Sequence, residues 1–75
     1  MSDLARTIKQ NILRVLADKG LSRNELSRRT GISQQAIVAL LNGDREIQTD
    51  TIQKIADALE VRVIDLAAEL EYATH

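Results

Sequence analysis

Between two stretches of helical periodicity, residues 22–30 and 34–41, the chain leaves only Gly31, Ile32 and Ser33. That spacing is the tightest constraint on the fold. Ser22-Arg23-Asn24-Glu25 reads as a capping box, with Ser at the N-cap and Glu at N3, and starts a helix. Leu26 and Thr30 fall on its inner side, and Gly31 stops it. Ser33 caps the next helix, in which Ile37, Leu40 and Leu41 fill one face at i, i+3 and i+4 before Asn42-Gly43 ends it. Two short helices joined this tightly need a small residue where they touch and a residue that tolerates positive φ in the turn. Ser27 and Gly31 fit those two requirements.

Helical periodicity continues on both sides. Leu4, Ile8, Ile12, Val15 and Leu16 form a first stripe, widened by Leu13. Ser2 or Asp3 caps it, Lys19-Gly20 ends it, and Leu21 returns to the core. After a polar loop at 43–48, Thr49 or Asp50 begins a fourth helix with Ile52, Ile55, Ala56 and Leu59 inward. Val61 and Val63 flank a turn, and a fifth helix carries Ile64, Leu66, Ala67 and Leu70. No alternating segment is long enough for a convincing strand. The expected fold is therefore all-α: one domain over residues 1–75, five helices in a row, with a helix-turn-helix at 22–43.

The outer face of the third helix is unusual. It shows Gln34, Gln35, Val38 and Ala39, with Ala36 between them, where a merely solvated face more often shows Lys or Glu. Glutamine carries a donor and an acceptor together, the pair needed for bidentate bonding to adenine in a major groove, and small apolar side chains touch the thymine methyl. A lysine-covered face would bind phosphates without reading sequence.

The net charge of −1 alone argues against a polyanionic partner, but its distribution does not. Residues 1–45 hold eight basic and four acidic side chains, a balance of +4; residues 46–75 hold two basic and seven acidic, a balance of −5. One end can face a polyanion while the other faces something else, although two solvated surfaces of opposite sign would give the same count.

Catalysis lacks its groups. There is no cysteine, the one histidine is the terminal His75, and no Ser/His/Asp, Cys/His or metal-spaced cluster stands out. No cofactor or metal is expected. With no cysteine, no signal peptide and no apolar run near the roughly 20 residues of a membrane span, a reducing cytoplasm is the expected compartment, with no membrane partner.

The stretches LSRNELSRRTGISQQAIVALLNG, TIQKIADALEV and VIDL resemble the phage repressor and Cro family of helix-turn-helix domains, also called XRE-like, over roughly residues 4–70. The resemblance implies a lambda-repressor-like five-helix domain that binds double-stranded DNA. By position it would set Gln34, Gln35 and Ala39 against base edges with Ser33 and Val38 beside them. Arg23, at the start of the second helix, and Asn42, at the end of the third, would reach phosphates, and Arg45 could reach the backbone from the next loop. There are departures. Ser27 stands where the family has Ala, Glu60 where it has Gly, and Asp44-Arg45-Glu46 is less basic than usual.

The reading is a Cro- or repressor-like transcriptional regulator, from a phage or other mobile element, bound as a homodimer to a near-palindromic operator. Dimerisation falls to helix five and its tail, about 63–75, where Ile64, Ala68 and Tyr72 form an outer apolar strip. The alternative from another class is an antitoxin that holds a toxin protein with its acidic half and also binds its own operator.

Overall fold

A computed structural model describes residues 3–43 and 46–68. Every regular element among them is a helix: α1 (Asp3–Lys19), α2 (Arg23–Thr30), α3 (Gln34–Asn42), α4 (Thr49–Leu59) and α5 (Val63–Ala67). The all-α reading and the order of five helices hold. Ser2 and Leu70, placed by sequence at a cap and in the core, lie outside the described residues.

One aliphatic core joins all five helices. Ile8, Ile12 and Leu16 of α1 meet Leu26 of α2, Ile37 and Leu41 of α3, Ile55, Ala56 and Leu59 of α4, and Leu66 of α5. Leu13, Val15, Leu21, Ile32, Ile52, Val61 and Val63 pack around it half-buried. The helices pack α1 on α5 and α3, α2 on α3 and α4, and α4 on α5. α2 thus sits wedged between α3 and α4, and burying each aliphatic side chain contributes about 1.5–3 kcal/mol.

The sequence misplaced one core member. Leu4 is 57% exposed, although it lies on the i, i+4 line through Ile8 and Ile12. It belongs to the first turn of α1, before Ile8, Ile12 and Leu16 enter the core.

Helix ends follow local chemistry. Ser22 accepts from the Glu25 N–H at 3.1 Å, but the reciprocal half of the expected capping box is missing. The Glu25 carboxylate pairs forward with Arg28 instead. α4 starts at Thr49 without a side-chain cap from Gln48. α5 is started from within: the Asp65 carboxylate accepts from the Arg62 backbone N–H at 3.0 Å, and the Arg62 guanidinium lies alongside at 3.5 Å. Those contacts, the backbone bond first, hold the Asp65 carboxyl below its ordinary value.

Glu60 closes α4 in the left-handed region, at φ 60 and ψ 39, and is the only non-glycine with positive φ among the described residues. A Cβ there costs about 1–2 kcal/mol, and a carboxylate faces the negative end of the helix dipole. Part of any gain from glycine is lost to the freer unfolded chain. Glu60→Gly should therefore raise stability by about 0.5–1 kcal/mol, a few degrees in Tm for a domain this size. Glu60→Ala, which keeps the Cβ, should gain much less. Thermal melts check this; equal effects of Gly and Ala would show that the backbone holds no strain.

Candidate nucleic-acid interface

The turn between α2 and α3 is built mostly by α2. Gly31 takes φ 77 and returns its N–H to the Ser27 carbonyl at 2.9 Å. Apart from its chain neighbours, no atom of the described residues lies within 4 Å of where a Cβ on Gly31 would stand, so glycine is needed for its backbone conformation and not for space. Ser33 then caps α3, its hydroxyl accepting from the Ala36 N–H at 3.2 Å.

α3 is two-faced. Ile37, Leu40 and Leu41 are buried, while Gln34 and Gln35 are exposed and Val38 and Ala39 half-buried. The last four line one open concavity of about 420 Å³. The residues singled out from sequence for base contact thus share one surface, and it carries no charge. Ser33 stands at its N-terminal edge and is exposed. Asn42 is the last residue of α3 and is exposed too. Arg45 lies outside the described residues.

The basic residues of α2 divide by partner. Arg28 is paired with Glu25, and Arg29 donates to the Ala58 carbonyl of α4 at 3.4 Å. Arg23, exposed at the first position of α2, has no such partner among the described residues.

On α5, Ile64 is 65% exposed. Ala68 is exposed as well, but it stands in extended backbone just after the helix. The helical spacing that would align Ile64, Ala68 and Tyr72 therefore stops at Ala67, and Tyr72 lies outside the described residues.

Sequence reading missed two sets of polar side chains. Asn11 is fully buried in α1 and donates to the Leu66 and Ala68 carbonyls at 2.6 and 2.7 Å. Ser27 and Thr30 hold the backbone of Ile32. The one available signal was a polar residue, Asn11, inside an apolar helical stripe.

Among the described residues no group of three or more His, Cys, Asp or Glu could hold a metal, and no helix is long and apolar enough to cross a membrane.

Comparison with known proteins agrees with this geometry. Residues 11–68 match the family model of the Cro/C1-type HTH DNA-binding domain. The chain is 33% identical over 64 residues to an uncharacterised HTH-type transcriptional regulator of Sinorhizobium fredii, covering 85% of this chain and 83% of that one. Its fold is similar to the crystal structure of a hypothetical transcription factor, NHTF, from Neisseria, with a TM-score of 0.89, 26% identity, and 96% and 83% of the two chains covered. The chain belongs to the Cro/C1-type helix-turn-helix family of DNA-binding domains.

Proposed function

We propose that this DNA-binding domain is a sequence-specific transcriptional regulator that reads its operator with α3 in the major groove. The observation that carries the reading is that Gln34, Gln35, Val38 and Ala39 line one neutral concavity, on a helix whose opposite face is locked into the core. Gln34 and Gln35 pair with adenine edges, Ala39 packs on a thymine methyl, and Ser33 and Val38 line the same groove. Arg23 and Asn42 hold phosphates on either side.

The operator is near-palindromic and is bound by a homodimer, with half-sites about 34 Å apart. The exposed Ile64 on α5 is the apolar residue that favours association through that end of the domain. Sedimentation should give a dimer on the full site; a monomer on both the full site and an isolated half-site would refute it. The antitoxin alternative also binds its own operator, so it is separated from a plain regulator by co-purification of a toxin protein and not by these titrations.

Titration against a selected duplex and a scrambled one at matched salt tests the reading. Gln34→Ala should cost about 1–3 kcal/mol on the selected site and little on the scrambled one, because a neutral amide releases no counterions. Arg23→Ala should weaken both about equally and lower the salt slope by roughly one. Equal losses on both duplexes for Gln34→Ala would move the protein-binding reading ahead.

A further inference from the structure

The geometry points to Ser27 and Thr30 as positioning residues for base recognition: two hydroxyls of α2 that clamp the Ile32 peptide and so aim the first turn of α3. The inference rests on α3 being the reading helix. Ile32 is the one residue between Gly31, which ends α2, and Ser33, which caps α3. Both of its backbone polar groups are taken by α2 side chains. The Ser27 hydroxyl donates to the Ile32 carbonyl at 2.6 Å. The Ile32 N–H donates to Thr30 Oγ1 at 3.1 Å, while that hydroxyl donates back to the Leu26 carbonyl at 2.8 Å.

The Ile32 carbonyl belongs to the same rigid peptide plane as the Ser33 nitrogen. Ser27 therefore fixes the plane from which α3 starts, one residue before Gln34. The neighbouring pivot is a glycine at φ 77, the softest backbone in the turn. Ile37 and Leu41 keep α3 docked in the core whether or not the clamp is closed. Loss of the clamp thus leaves the fold in place and lets the N-terminal turn of α3 wander.

The two kinds of DNA contact respond differently to such wandering. Hydrogen bonds to base edges fail over a few tenths of an ångström and weaken steeply with angle. Attraction to phosphates falls only as the inverse of distance. Loosening the turn should cost the selected site and spare random DNA. A purely structural role would lower both together or, where the domain stays fully folded, neither.

The experiment compares wild type, Ser27→Ala, Thr30→Val, Thr30→Ser and Gln34→Ala on a duplex selected from a random pool and on its scrambled version. Titrations run at matched salt, well below every variant's melting temperature, and amide hydrogen exchange is followed at Ile32. Ser27→Ala and Thr30→Val should each bind the selected duplex about tenfold more weakly and the scrambled one within about twofold of wild type. Thr30→Ser, which keeps the hydroxyl, should restore selectivity. Thr30→Val should also speed exchange of the Ile32 amide. If Gln34→Ala loses selectivity while Ser27→Ala and Thr30→Val keep it, the clamp does not aim α3, although α3 still reads. If Gln34→Ala keeps full selectivity, the reading of α3 falls and the clamp's role falls with it. Equal losses on both duplexes for the two clamp variants reduce Ser27 and Thr30 to structural residues and overturn the inference.

Discussion

Ala39→Glu should abolish specific DNA binding while leaving a folded domain. Ala39 lies one helical turn after Gln35 in the same concavity. Its methyl is short enough for a base edge to approach the backbone of α3. Glutamate adds bulk where the groove floor must come close, and a negative charge facing two rows of phosphates. Like charges brought together in an interface cost several kcal/mol, so affinity for the selected site should fall by roughly a hundredfold or more. Random DNA should lose a smaller factor, since a looser complex can hold the added charge further away. Ala39 is only half-buried and glutamate is a good helix former, so the melting temperature should move by a few degrees at most. Ala39→Ser, small and neutral, should retain most of the affinity. Unchanged binding of the selected duplex by Ala39→Glu would mean that this face does not meet DNA.

Much of this architecture was legible because it is set locally. Ser22 and Ser33 cap the helices that follow them, and Gly20 and Gly31 mark the ends of α1 and α2, so boundaries can be read from a few neighbouring residues. The apolar period of α3 fixed which side is buried, and its other side followed by subtraction. Glu60 could be picked out for a special backbone because the resemblance implies glycine there, and it does adopt the left-handed conformation.

What escaped is non-local or depends on where a helix runs out of neighbours. Leu4 has the right period but sits beyond the end of the core. The Ser27 hydroxyl looked like a tolerated replacement for a methyl; only the folded turn brings the Ile32 carbonyl to it. Glu25 had two plausible partners, its own cap and Arg28, and spacing alone does not choose between them. The end of α5 could not be read from residues 63–68 alone, because the group that donates to the Leu66 and Ala68 carbonyls is Asn11 of α1.

Asn11→Ala is the second large effect, on stability. The side chain is fully buried and lies 55 residues from Leu66, whose carbonyl it binds at 2.6 Å. Its amide nitrogen also serves the Ala68 carbonyl, and its oxygen accepts from Arg14 at 3.3 Å. A helix leaves its last carbonyls unsatisfied, and here a side chain from another helix supplies both donors. α5 spans only Val63–Ala67, far too short to persist without tertiary support. Removing Asn11 deletes three hydrogen bonds, two of them to the end of α5, and takes from the buried Leu66 carbonyl its donor on α1, for a combined cost of about 2–4 kcal/mol. That is a large share of the roughly 5–10 kcal/mol expected of a domain this small, and corresponds to a fall of about 10–20 °C in Tm. Hydrogen exchange should rise first at α5 and later in α2 and α3. Asn11→Asp separates shape from donor capacity. A carboxylate facing two carbonyls is repelled, so this variant should be at least as damaged at neutral pH. Burial and those carbonyls raise its folded pKa, so the stability linked to the protonated form is present at low pH and lost as pH rises through that raised value. The variant should therefore recover relative to wild type on mild acidification, when its O–H can donate to one carbonyl. A melting temperature for Asn11→Ala within about 3 °C of wild type, or uniform exchange across the domain, would show that Asn11 does not hold α5 and that apolar packing of Val63 and Leu66 suffices.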